Sequence, residues 1–277
     1  MDIKFFDVHA HINFEIFKND YKNIIAQTFE NKIGIITSGT YKYTSQSAVT
    51  IANEYLDQPI YATIGLHPIH CNPENYIDHN ETSKTIEPEI KFDLNFYHNL
   101  ALNRKVIGIG ECGLDFYHID INNKNFINNQ KNNFQQQIKL SFTIKKPLII
   151  HCRNAFIELI QILQENKNLL LNYPGIIHFF SGTKEQAKQL LNLGFSFSFG
   201  GVITFTNNYN ELIKFIPIEN ILPETDAPYV APVPYRGKRN QPNYVIETIK
   251  QITKIKNISI EDYSPILLNT VHKIFKI

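Results

Sequence analysis

The sequence predicts a single (β/α)8 TIM-type barrel with a metal site at the C-terminal rim of its strands. Three observations carry that prediction. Short β-rich runs alternate with amphipathic stretches almost to the end of the chain. The 277 residues, 43% of them hydrophobic, suffice for one large core, and such a barrel needs about 250 residues. Six side chains able to bind a metal each fall where a predicted strand ends, and a barrel gathers its chemistry at that rim.

The elements follow in order. Strands are expected at 5–9, 34–38, 60–66, 106–110, 148–151, 176–178, 195–199 and 221–224. Helices are expected at 18–31, 132–145, 155–165 and 184–193, the last stopped by Gly194 as a C-terminal capping glycine. Two more, at about 243–256 and 261–275, close the sequence. The polar, proline-containing stretch from Cys71 to about Glu89 reads as a long loop after the third strand. The paired asparagines 122–123, 128–129 and 132–133 read as solvated loops or helix starts. A doubly wound open sheet fits less well, because no glycine-rich phosphate turn follows the first strand. Neither a repeat nor a low-complexity linker divides the chain, so 1–277 is expected to be one domain, monomeric by default.

Bulk properties narrow the function. A net charge of +1 excludes a polybasic coat, so a nucleic-acid substrate would be held by a local patch. Cys71, Cys112 and Cys152 form neither a disulfide ladder nor a zinc pattern, and a reducing compartment is favoured. The first strand starts too early for a signal peptide, and no apolar run is long enough to span a membrane. A cytoplasmic protein is expected.

The six rim residues are His9, His11, Glu111, His151, His178 and Asp226. His9 and His11 are two apart, so an extended backbone points both imidazoles to one face. Glu111 follows the apolar run VIGIG, while His151, His178 and Asp226 end other strands. Nitrogen and carboxylate donors in this mixture suit Zn, Mn or Mg. Six ligands exceed the needs of one tetrahedral ion, so two divalent ions sharing one carboxylate are the economical reading. Such a pair lies roughly 3.5–4 Å apart, polarises a phosphoryl or carbonyl oxygen and acidifies water. Asp7 shares the face of His9 and His11 and could orient an imidazole. His70, His79, His98, His118 and His272 read as hydrogen-bonded core residues, and Cys112 and Cys152 as buried thiols turned away from the axis.

The motifs FFDVHAH (5–11), GLHP (65–68), IGECGLDFY (109–117), IIHCRNA (149–155), HFFSG (178–182), ETDAPY (224–229) and RGKRNQP (236–242) run nearly end to end. Through them the sequence resembles the TatD-type metal-dependent deoxyribonucleases of the amidohydrolase superfamily. The resemblance implies a TIM-like barrel and divalent-ion-dependent phosphodiester hydrolysis, often by 3′-to-5′ exonuclease action on DNA; a preference for single-stranded DNA is expected, with RNA open as a substrate. It implies one ion on His9, His11, Glu111 and Asp226, and a second on Glu111, His151 and His178. Ile12-Asn13 stands where Leu-Asp is usual, and Phe179 where Cys is common. Neither change removes a ligand.

Within that scheme Glu111 bridges the ions, and Asp226 is the carboxylate best placed to accept the proton of the attacking water. His67 either donates to a phosphate oxygen or caps its strand before Pro68. Arg153 is a candidate phosphate clamp, and Arg236, Lys238 and Arg239 form either a substrate contact or a solvated loop. Phe116, Tyr117, Phe180 and Tyr229 are candidates to stack on bases, one or two of them being expected to do so. The alternative function is an amidohydrolase or phosphoesterase acting on a small molecule, since the fold does not fix the substrate. A non-catalytic binding module would have lost ligands, and all six are present.

Overall fold

The structure is a computed structural model that describes residues 2–71, 78–82, 91–117 and 123–277. Eight strands form one parallel sheet in sequence order: β1 (Phe5–Ala10), β2 (Ile33–Ser38), β3 (Ile60–Ile64), β4 (Val106–Asp115), β5 (Leu148–Arg153), β6 (Gly175–Ile177), β7 (Ser196–Phe199) and β8 (Ile221–Pro223). Parallel strands need crossovers, and here helices supply them, leaving the strands almost wholly buried. The barrel closes at the rim. Asp226 N donates to His9 O at 2.9 Å and His11 N to Ala227 O at 2.8 Å. Asp7 completes that seam, because its carboxylate accepts from Thr225 N at 2.9 Å and from the Thr225 hydroxyl at 2.5 Å. Asp7 thus joins β1 to the end of β8 and orients no ligand imidazole, and its burial pushes the carboxyl well above the usual range.

The helices are α1 (Tyr21–Glu30), α2 (Lys42–Glu54), α3 (Leu94–Ala101), α4 (Lys124–Ile144), α5 (Phe156–Glu165), α6 (Lys184–Asn192), α7 (Asn210–Phe215), α8 (Val245–Lys256) and α9 (Ile260–Phe275). Gly194, at φ +90°, follows α6 as expected. Helix α4 starts eight residues before the expected helix and takes in two of the three asparagine pairs. Asn123 caps it by accepting from Phe126 N at 3.2 Å.

One face of α4 is lined with amides, which reads as solvated, yet those amides are buried and serve the barrel backbone. Gln130 pairs with both N and O of Asp115, at 2.9 and 3.0 Å. Gln137 does the same for Leu66, at 2.9 and 3.0 Å. Asn133 accepts from Phe92 N at 2.9 Å. Unpaired, these backbone groups would each cost about 1–3 kcal/mol. The helix therefore fixes the strand ends that carry His67 and Asp115.

Within the expected loop after β3, Pro68–Cys71 forms a 3-10 turn, while 72–77 and 83–89 lie outside the described residues. Asn13 is buried, donates to Thr44 O at 2.9 Å and accepts from Thr37 at 2.7 Å, so it braces the loop after β1 against β2 and α2. No described helix is long and apolar enough to cross a membrane.

Candidate metal centre and active-site cavity

Glu111 sits at the middle of the rim cluster, on a strand that is not regular. Between Ile109 and Cys112 β4 gains one residue relative to β5, and β1 gains one relative to β2 between Asp7 and Ala10. Such bulges re-aim a side chain, here beside His9 and Glu111. β4 and β5 approach closely at Gly113, where a Cβ would lie 2.0 Å from His151 O.

The two oxygens of Glu111 face different partners. Oε2 lies 3.4 Å from His9 Nε2 and 3.4 Å from His11 Nε2. Oε1 lies 2.8 Å from His178 Nε2, 3.1 Å from His151 Nδ1 and 3.2 Å from His67 Nε2. Asp226 joins the first group, with Oδ1 3.4 Å from His11 Nε2 and 3.6 Å from His9 Nε2. The structure therefore brings all six expected residues together, and His67 with them. Burial alone would raise the Glu111 carboxyl, but His178, His67 and His151 hold it well below the usual range. Burial likewise opposes charge on His178, yet Glu111 and Glu224 raise that imidazole well above its ordinary value.

The outer nitrogens decide what each imidazole presents inward. His11 Nδ1 lies 2.9 Å from the carbonyl of Ser38 and must donate to it, leaving the Nε2 lone pair to the cluster. His151 Nε2 lies 3.0 Å from Asp115 Oδ2, so Nδ1 carries the inward lone pair. Burial alone would raise Asp115, but His151 holds it at about 2. His9 Nδ1 meets the Ser38 hydroxyl at 3.1 Å. His178 Nδ1 is buried without a hydrogen bond, 3.7 Å from Glu224 Oε1. His67 is the opposite case. Its Nδ1 accepts from Ile69 N at 3.1 Å, and burial lowers the ring to about 4, so the neutral form carries its proton on Nε2, facing Glu111. On His11 and His151 an inward lone pair lies beside carboxylate oxygens while the outer nitrogen is held by a fixed acceptor, which is what a divalent ion requires. The donor set fits a metal, and His67 enters it as a hydrogen-bond donor.

Asp115, Ser38 and Glu224 were not singled out from the sequence. Asp115 lies four residues past Glu111 on the same strand, and Ser38 ends β2, so position was an available signal. Glu224 accepts from Phe179 N at 2.7 Å and from Ser198 at 2.5 Å, and its sequence position beside Asp226 masked it.

The cluster floors a cavity of about 690 Å3, within the range of small-ligand pockets. Asn154, Phe179, Asp226 and Val230 line it with φ values of 56°, 46°, 54° and 45°. Left-handed backbone at such residues costs about 1–3 kcal/mol each and gathers at working sites. Arg153 and Tyr117 line the cavity too, the guanidinium 3.5 Å over the ring. Arg236, Lys238 and Arg239 do not line it. Arg236 donates to Ala231 O at 2.9 Å and covers Phe205, and Lys238 is exposed. Arg239 is bonded to Asp20 and to Ile16 O, and so ties the loop after β8 to the segment after β1.

Of the four candidate stacking rings, Phe116 and Phe180 are buried in the core, whereas Tyr117 and Tyr229 reach the cavity. Cys112 and Cys152 are buried, as expected. Among the remaining histidines only His70 is a core residue, 3.1 Å from Glu81. His79 and His272 are exposed, His98 is half-buried, and His118 lies outside the described residues.

Comparison with known proteins agrees with this geometry. The family model of TatD-related DNases matches residues 6–276. The chain is 35% identical over 275 residues to the uncharacterized metal-dependent hydrolase YabD of Bacillus subtilis, covering 98% of this chain and 99% of that protein. It is 42% identical over 207 residues to an uncharacterized metal-dependent hydrolase of Buchnera aphidicola, covering 74% and 70%. The crystal structure of YJJV, a TatD homolog from Escherichia coli, superposes with a TM-score of 0.83 at 25% identity, each chain covered in full. The chain therefore belongs to the TatD-related DNase family and is a metal-dependent hydrolase.

Proposed function

We propose that the protein is a divalent-metal-dependent deoxyribonuclease that removes nucleotides from the ends of single-stranded DNA, in the 3′-to-5′ direction. The observation that carries the reading is the division of Glu111: one oxygen faces His9 and His11, the other His151 and His178. That division suits two ions, one held by His9, His11, Glu111 and Asp226, the other by Glu111, His151 and His178. Mg, Mn or Zn bound there would polarise a phosphoryl oxygen and acidify a water.

The chain's own groups do the rest. His67 Nε2 donates to a non-bridging phosphate oxygen, where negative charge grows during attack. Asp226 accepts the proton of the attacking water. Arg153 clamps a phosphate, and Tyr117 offers a ring face for an unpaired base. Arg236 and Lys238 lie farther out, where they contact strand beyond the cavity. Cys71, Cys112 and Cys152 are buried thiols, which suits a reducing cytoplasm.

The test uses protein stripped with EDTA and resupplied with Mg or Mn. Release of mononucleotides from single-stranded DNA, dependent on the added ion, is expected. Turnover of small esters or amides with DNA left intact would replace this reading with that of a small-molecule hydrolase.

A further inference from the structure

The mouth of the cavity has two chemically different sides. Arg153, with Tyr117, stands at the ends of β4 and β5, and it is the one Lys or Arg among the described lining residues. At the ends of β8 and β3 stands a wall of Tyr229, Asp78 and Glu81. The Tyr229 hydroxyl donates to Asp78, which bonds the loop after β8 to the stretch after β3. Asp78 also accepts from Asn80 N at 2.8 Å. Glu81 is 4% exposed, accepts from Thr40 and lies 3.1 Å from His70 Nε2. Backbone bonds from Glu15 N to Glu81 O (3.2 Å) and from Ile16 N to Asn80 O (3.1 Å) hold the wall in place. Tyr229 meets His11 edge-on, ring centroids 6.3 Å apart, so the wall begins one side chain from the metal ligands.

Charge favours one direction for a polyanion in this mouth: phosphates running out past Arg153, with an uncharged part at the wall. A cavity of about 690 Å3 has room for the end of a strand. An ionised carboxylate only accepts hydrogen bonds, so a terminal hydroxyl can donate to it. A terminal phosphate brings acceptor oxygens and about two negative charges. Resting on the nuclease reading above, we propose that Asp78 and Glu81 are specificity-determining residues that admit a strand end bearing a free hydroxyl and reject the same end bearing a phosphate.

The experiment compares short single-stranded DNAs that differ only in carrying hydroxyl or phosphate at each end, with Mg as the metal. For the end that is attacked, kcat/KM is expected to favour hydroxyl by about tenfold, the scale of one screened like-charge contact. Asp78→Asn and Glu81→Gln keep an acceptor oxygen for Tyr229 and Thr40 while removing charge, and each is expected to narrow the ratio towards one. The ratio cancels any general loss of activity, and a thermal melt reports folding. Should one variant fail to fold, the other tests the wall, and added salt must narrow the wild-type ratio as well. Equal rates on both ends, a ratio unchanged in the variants, or cutting of circular single strands at the same rate would overturn the proposal. Absence of hydrolysis even of hydroxyl-ended DNA is a distinct result, and it removes the nuclease reading together with this one.

Discussion

The two ends of the barrel bury charge in opposite ways. At the N-terminal end Lys105 is 3% exposed, yet its ammonium is satisfied from within, donating to Gln58 O at 2.8 Å and Ile60 O at 3.0 Å beside the Tyr61 ring. Burial lowers it to about 8. At the C-terminal end Glu111, His9, His11 and His178 are buried, and with the half-buried His151 and Asp226 they turn imidazole nitrogens and carboxylate oxygens towards one another. The lysine needs nothing more, whereas the cluster is an arrangement that a cation completes. Burial of charge alone marks no site. What marks it is convergence of acceptors, with outer partners that fix the protons of His11 and His151.

That contrast can be broken in steps. Replacing Glu111 with Gln leaves its shape but removes the charge both groups share. Turnover should fall by about 10³-fold, the upper range for loss of a central electrostatic group, with the circular dichroism spectrum unchanged. Wild-type activity in that variant would sink the assignment. Asp115→Asn should weaken metal binding by about 10–100-fold, because the proton on His151 is no longer directed outward. Titration calorimetry reads that loss, and an affinity equal to wild type would show that Asp115 merely packs.

Metal affinity should also follow pH in a defined direction. The raised His178 binds a proton in the empty site, and an ion must displace it. Affinity therefore rises with pH, by about tenfold per unit for one displaced proton, and levels off only above the ordinary imidazole range. A flat profile from pH 6 to 8 contradicts a protonated His178. The smallest effect on the site belongs to the other end. Lys105→Met removes the buried donor to Ile60 O and Gln58 O and should cost about 1–3 kcal/mol in urea unfolding, with metal binding and turnover unaltered.

Much of this was legible because barrels repeat a simple rule: apolar strands, ligands where they stop. His9, His11, Glu111, His151, His178 and Asp226 could be placed on one rim from spacing, and the motifs around them named the family. The amide face of α4 was not legible, since Gln130, Asn133 and Gln137 are polar letters whose partners are backbone groups distant in sequence. Arg239 illustrates the reverse: a basic cluster near the rim suggests phosphate, but a carboxylate at Asp20, far away in the chain, occupies it. Alternation along a strand also hid the bulges at β1 and β4, because one added residue changes which face follows.

The central claim is that Glu111 is shared between two ions. Anomalous diffraction from crystals soaked in Mn tests it most directly. Two peaks per chain are predicted, one contacted by His9, His11, Asp226 and Oε2 of Glu111, the other by His151, His178 and Oε1. A single peak, or a second peak ligated by His67 Nε2 in place of His178, would contradict the account.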